Sequence, residues 1–371
     1  MNFETSNELR AVQDSLTKLL ANHYTAVHRQ ALAEDVGAYA RQAWREMIGL
    51  GLAGLQIPEE FGGFGTRATD MLPVCHELGR ALAPVPFLSS SVLSVAALCA
   101  AGERQLQCDL LPGLAEGTLQ VACTHDPAAK MAEVCAQVVD GKWRLRGLQR
   151  HLPYAASSDW LIVAARLQEG AVEAAALFLL NARSPELQLR SHRLIDGTPA
   201  SDVRLSEVAA TPLGTPCSAE ARAVIEAVVA AGIAAACAEM VGAMEAAFRL
   251  TVDYLKTRQQ FGRLIGDNQA LRHRTAEMLV GLEMARSLSI AAAVAAGRSG
   301  LDDPEARADL HRAKFLVGRN ARNLCHAAIQ LHGGIGMTEE YFVGHYLRRV
   351  HVLDHQFGDS GMHLEQLAEV A

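Results

Sequence analysis

Residues 218–258 form one long, Ala-rich, apolar run. Ala and Leu carry the lowest helix-forming cost, so the run reads as a single helix of unusual length. A helix that is apolar on nearly every face has to be covered by other helices, as in a bundle core. Its most apolar stretch, residues 227–238, holds only 12 residues between Glu226 and Glu239, whereas a membrane span takes about 20. A buried bundle helix in a soluble chain is therefore expected.

Two more long helices are expected after it, at residues 270–297 and 302–334. In the second, Asp302-Asp303 offers a cap, Pro304 fits the first turn, and Gly333-Gly334 ends the helix. Upstream, ELRAVQDSLTKLLANH (8–23), YARQAWREMIGLGL (39–52) and MLPVCHELGRAL (71–82) repeat apolar residues at i, i+3 and i+4. Breakers at 57–68 and 82–87 separate them. The middle is different: LQVACTH, CAQVVD, WRLRGLQ, DWLIVAARL, AAALFLL and LQLRSH are short and strand-like, and Asp140-Gly141 signals a hairpin. The expected organisation is an α-helical domain at 1–118, a β-barrel at 119–214 and a helical bundle at 215–371, an α+β chain.

A net charge of −7 argues against nucleic acid as a partner, which calls for a basic stripe. The eight cysteines are scattered without a C-x-x-C pair. They read as small core residues in a reducing compartment, not as disulfides or a zinc site. His332, His345, His351 and His355 show no metal-ligand spacing and read as surface or interface groups, so no metal is expected. The polar, acidic start MNFETSNELR carries no visible signal peptide, and a cytoplasmic location is expected. No G-x-G-x-x-G follows a strand, which argues against a Rossmann dehydrogenase; Gly62-Gly63-Phe64-Gly65 lies between helices and reads as a turn.

Four segments, in order, resemble the acyl-CoA dehydrogenase family, and the likeness spans nearly the whole chain. They are GLGLAGLQIPEEFGGFG (49–65), Glu77-Leu-Gly-Arg, TRQQFGRLIGDNQALRHRTAEM (257–278) and IQLHGGIGMTEEY (329–341). The last two carry the likeness, through R-x-x-F-G with a following Gln and through Q-x-x-G-G-x-G. The resemblance implies a helical domain, a β-barrel and a four-helix bundle. It also implies FAD as cofactor and α,β-desaturation of an acyl-CoA thioester, with a carboxylate removing the α-proton. Arg258, Phe261, Gln269, Gln330, Gly333 and Gly334 match positions that, in the family, contact the ADP half of an FAD bound mainly by a neighbouring subunit. The chemistry of these residues fits: a forked cation for a pyrophosphate, an apolar ring, two amides, and glycines that let backbone approach closely.

The departures are as informative. Counting forward from Q-x-x-G-G puts Phe357 at the family's catalytic glutamate, and aligning back from Phe261 puts Gly232 at the alternative glutamate position. A phenyl ring cannot accept a proton. The loop that covers flavin and substrate reads Thr124-His-Asp-Pro-Ala-Ala-Lys130, and the flavin-contacting strand reads HLPYAASSDW (151–160). The residues that hold a flavin ring within one subunit are degraded, while those that reach a neighbour's FAD are kept. The resemblance thus implies a heteromer of two copies of this chain with two of a paralogous, glutamate-bearing acyl-CoA dehydrogenase subunit. FGDSGMHL (357–364) is similar to the small subunits of such pairs. A steroid-derived or other bulky acyl-CoA is the implied substrate and electron-transfer flavoprotein the implied acceptor. Asp359 and, further away, Glu239 are the candidate substitute bases; otherwise Asp359 is a turn residue and Glu239 a paired interhelical carboxylate. Two other readings stay open: a self-sufficient homomer using Asp359, and a non-catalytic acyl-CoA-binding scaffold of the same fold.

Overall fold

The structure, a computed structural model, describes residues 7–24, 36–126, 133–169, 172–298 and 303–370. Helices α1 (Asn7–His23), α2 (Val36–Gly49) and α3 (Leu72–Ala81) form where the apolar spacing places them. They bury Leu16 and Leu20, Met47, and Val74 and Leu78 in one core. After α3 comes helical structure that Pro84 and Pro86 obscured in the sequence. A π-helical turn, Phe87–Leu93, runs straight into α4 (Ser94–Ala101), followed by α5 (Arg104–Ala115) with Pro112 inside it. The serines of the π turn do the joining to the sheet. The Ser89 hydroxyl accepts from the Cys123 amide at 2.9 Å and the Ser90 hydroxyl from that of Val121 at 3.3 Å, so strand β1 (Val121–Cys123) is tied to the helices.

The middle region is one eight-stranded sheet. Strands β2 (Glu133–Val139) and β3 (Lys142–Pro153) pair Val139 with Lys142 across Asp140-Gly141. Both turn residues have positive φ, 51° and 72°, as the two-residue hairpin requires. Strands β4 (Trp160–Glu169), β5 (Val172–Asn181), β6 (Leu187–Arg193), β7 (Pro199–Ala209) and β8 (Thr211–Pro212) complete the order β6-β7-β3-β2-β4-β5-β8, with β1 parallel to β4. Side chains alternate across a strand. On β4, Leu161, Val163, Ala165 and Leu167 therefore enter a core wrapped by the sheet, while Ile162 and Ala164 join the helical core. Burial on both faces explains the unbroken apolar runs of β4 and β5.

The long run folds as α6 (Ala219–Thr257), capped by the Ser218 hydroxyl, which accepts from the amides of Glu220 and Ala221. By length and composition α6 and α7 (Gln269–Ala296) would each suffice to cross a bilayer, against the expectation from the 12-residue stretch, but the apolar window of α6 is 72% buried inside the protein. Helices α8 (Pro304–His332), α9 (Val343–His355) and α10 (Ser360–Val370) complete the bundle. Asp303 caps α8 and Gly333 ends it with φ 65°; Asp302 lies outside the described residues. Helix α3 crosses α6 at contact distance. A Cβ on Gly79 would stand 1.9 Å from the Glu239 carbonyl oxygen, and one on Gly242 1.9 Å from that of His76. The Gly79 of the Glu77-Leu-Gly-Arg motif is thus a helix-crossing residue.

Cys75, Cys123, Cys237 and Cys325 are buried as expected, but Cys108 and Cys217 are exposed. His332 is also a correction: it is buried, not superficial, and stacks on Tyr254 with ring centroids 4.6 Å apart. That stack, with Tyr341 against His332 at 4.9 Å, binds the end of α6 to the end of α8.

Candidate active site

The link between α9 and α10 holds the first expected base position. Phe357 has φ 61° and Gly358 φ 95°, a left-handed pair that needs outside support. The Phe357 amide donates to the His125 carbonyl at 3.1 Å. His363 Nε2 donates to the Phe357 carbonyl at 3.1 Å, which leaves its Nδ1 to accept from His311 Nδ1 at 2.7 Å. The fully buried Lys314 donates from Nζ to the Asp354 carbonyl at 2.6 Å and to that of Gly358 at 2.9 Å. Burial holds the His363 imidazole neutral, its pKa pushed down to about 3. The Phe357 amide and the Phe357 and Gly358 carbonyls thus find partners in His125, His363 and Lys314.

The second expected base position faces the first. A Cβ on Gly232 would lie 2.4 Å from Cε1 of the Phe357 ring. Phe357 is 5% exposed. The phenyl ring therefore occupies the space that a side chain from α6 would need, and the two expected base positions are one filled volume.

The substitute bases sit elsewhere. Asp359 starts α10, and its Oδ1 accepts from the Met362 amide at 2.8 Å. That bond holds its carboxyl below the usual range, so Asp359 serves as a helix cap and has low proton affinity. Glu239 is buried, and its Oε1 takes Arg349 Nε at 2.7 Å and Nη2 at 2.6 Å. Arg349 Nη1 also donates to Asp196 Oδ2 at 2.7 Å. Burial pushes the Glu239 carboxyl up, against the opposing pull of Arg349. Glu239 is the paired interhelical carboxylate that its sequence context allowed.

The six expected cofactor-contact residues come together differently. Arg258 closes α6; Phe261 and Gly262, with φ 53° and 77°, form the tip of a small hairpin pairing Gln260 with Arg263; Gln269 opens α7; Gln330, Gly333 and Gly334 end α8. All six are exposed, and Phe261 is fully so at 101%. Among the described residues the side chains of Arg258, Gln269 and Gln330 have no hydrogen-bond or ion-pair partner, whereas Arg263 bonds Asn268 and Arg272 bonds Gly266 and Asp267. A cation, two amides and an aromatic ring left unused at one end of a bundle fit a nucleotide supplied from outside this chain.

The in-chain flavin segments look otherwise. Residues 127–130 lie outside the described residues. His125 is held neutral by burial, its pKa pushed down to about 4, and its Nδ1 is buried without a hydrogen-bond partner among the described residues; only its place beside Phe357 draws attention to it, which no spacing could give. At 151–160, Leu152 and Pro153 are buried, and Pro153 has neither hydroxyl nor N–H to offer.

Two family models match: that of the acyl-CoA dehydrogenase N-terminal domain over residues 6–118 and that of the C-terminal domain over residues 222–371. The chain is 31% identical to the acyl-CoA dehydrogenase IpdE2 of Mycobacterium tuberculosis, over 93% of this chain and 91% of that relative. It is 26% identical to a solved Tcur3481–Tcur3483 steroid ACAD, with TM-score 0.86 over 98% of this chain and 97% of that one. A chain of the ChsE4–ChsE5 complex from M. tuberculosis, 24% identical with TM-score 0.86 over 100% and 98%, shares the fold. With helical region, sheet and bundle in the same order along nearly its full length, the chain belongs to the acyl-CoA dehydrogenase family, whose cofactor is FAD.

Proposed function

We propose that this chain is the partner-dependent subunit of a heteromeric, FAD-dependent acyl-CoA dehydrogenase. It contributes contacts to the ADP half of FAD at the subunit interface, and a paralogous subunit supplies the catalytic carboxylate. The packing of Phe357 against Gly232 carries the reading, because it fills with hydrocarbon both places where a base is expected. The exposed Arg258, Phe261, Gln269, Gln330, Gly333 and Gly334 support its second half. FAD, when bound, supplies the hydride acceptor. Arg258 would pair a pyrophosphate oxygen, Phe261 would cover an apolar ring face, and the glycines after Gln330 would admit close backbone approach. A steroid-derived or similarly bulky acyl-CoA belongs to the same proposal, supported by the likeness to a steroid ACAD, with electron-transfer flavoprotein as acceptor.

Co-expression with a glutamate-bearing paralogue tests this. The expected result is a yellow complex that oxidises acyl-CoA, while this chain purified alone is flavin-free and inactive. A yellow, active homomer would overturn the proposal.

A further inference from the structure

Three strands of the middle sheet bring two histidines and an aspartate to one point, and one of them, His151, opens the 151–160 segment matched above to the flavin-contacting strand. His151 stands on β3 where its register against β7 breaks, between Gln149 and Leu152. His192 lies on β6 and Asp202 on β7. One ligand-capable atom from each lies within 4.8 Å of the other two. His151 has φ 51°, uncommon for a residue with a side chain, and a register break is the usual device for re-aiming a side chain. The same residue's amide donates to Asp202 Oδ1 at 3.1 Å, which orients that carboxylate.

The two rings are arranged as ligands. His192 Nδ1 donates to the Arg190 carbonyl at 3.4 Å, which leaves the lone pair on Nε2. That Nε2 faces His151 Nδ1 at 2.8 Å, and Asp202 Oδ1 stands 3.8 Å from the same Nδ1. A backbone carbonyl holding the distal nitrogen is what fixes the tautomer of a metal-binding histidine. Tetrahedral bonds of about 2.0–2.2 Å set ligand atoms about 3.3 Å apart, a spacing bracketed by the two distances here.

We propose that His151, His192 and Asp202 form a binding site for a divalent ion of the zinc type, with the fourth position open. Two nitrogens and one carboxylate oxygen suit Zn²⁺; Mg²⁺ and Ca²⁺ prefer oxygen throughout. On binding, His151 shifts its proton from Nδ1 to Nε2 and both rings stay neutral, so no net proton is released from the pair. His192 also lines, with Tyr154, Ser191 and Ser201, a cleft of about 250 Å³. Of the three ligands only His192 lines that cleft, and an ion held by all three would clamp β3, β6 and β7 together beside it.

Titration of the full-length chain with zinc chloride in a calorimeter, in chelator-free buffer, tests the proposal. One Zn²⁺ per chain is expected, with a raised melting temperature. His151→Asn and His192→Asn should each weaken binding by about tenfold or more. Co²⁺ in place of Zn²⁺ should give the intense visible bands of a tetrahedral site, lost in His192→Asn. Asp202→Asn keeps an acceptor for the His151 amide, so it separates lost ligation from lost folding; His355→Asn, an exposed histidine elsewhere, should leave binding unchanged. Absence of stoichiometric binding, or equal binding in the folded Asp202→Asn and both histidine variants, would overturn the site and leave a hydrogen-bonded histidine pair.

Discussion

Glu245 gathers three cationic partners: His76 Nε2 at 3.0 Å, Arg286 at 2.7 Å and Arg249 at 2.5 Å. The His76 hydrogen bond, with the cations behind it, lowers its carboxyl to about 2. Burial alone would lower the His76 pKa, but its bonds to Glu245 and Glu77 raise it above the ordinary value. A depressed carboxyl contributes stability above its unfolded pKa and loses it as pH falls through the folded value; a raised imidazole contributes below its unfolded pKa and loses it as pH rises through its own. The pair is therefore at full strength between about pH 4.5 and 6.5. The melting-temperature gap between the native chain and Glu245→Gln should be widest in that window and narrow on both sides, most steeply toward pH 2. Arg258→Ala in the assembled complex should weaken FAD retention by roughly 10–100-fold, the worth of a hydrogen bond to a charged group of about 1.5–3 kcal/mol; unchanged flavin content in gel-filtered complex would exclude the contact. At this scale the sequence reveals groups that repeat a pattern, such as Arg258 and Gln330. It hides those whose meaning depends on a distant neighbour. His332 is buried with Tyr254 and Tyr341 packed against its ring, and Glu239 is an ion pair only because Arg349 arrives from α9.

Among elements, α6 decides most of the packing, and its glycines are where other pieces touch it. Gly242→Ala should destabilise the chain by about 1–3 kcal/mol, the usual cost of overpacking, because the new methyl meets a His76 carbonyl on a helix that cannot retreat. Gly232→Ala should cost a similar amount, but Phe357→Ala in the same chain should recover much of it, since the ring it strikes is gone. A double-mutant cycle by urea denaturation gives the coupling; additive effects would mean that the two do not meet. The elements were unevenly legible. Helix α6, the hairpin of β2 and β3, and the doubly buried β4 and β5 follow from composition and turn residues. Strand β7 was missed although Val203 and Leu205 alternate with Asp202 and Arg204, because its polar outward face dilutes the apolar signal. The π turn and α4 were missed because Pro84 and Pro86 mark a stop, while the serines that follow find partners in β1.

Across the whole molecule, Arg349 joins the bundle to the sheet, bonding Glu239 on α6 and Asp196 beside the sheet from its place on α9. Arg349→Met leaves two buried carboxylates facing each other, and breaking such a group by one partner costs about 3–5 kcal/mol. The expected result is a lower melting temperature and faster proteolysis between the sheet and the bundle, with Arg349→Met/Glu239→Gln recovering part of the loss. The order of regions was readable from the chain because each has its own periodicity. The way they lock was not, because it rests on charges 43, 110 and 153 positions apart in sequence. The contact of Phe357 with Gly232 also ties the two positions to each other. A glutamate placed at 232 on α6 would drive into the benzene ring, and one placed at 357 in the α9–α10 link would abandon a space that glycine leaves hollow. Neither change fits the packing when made singly, so a carboxylate enters this volume only if positions 232 and 357 change together.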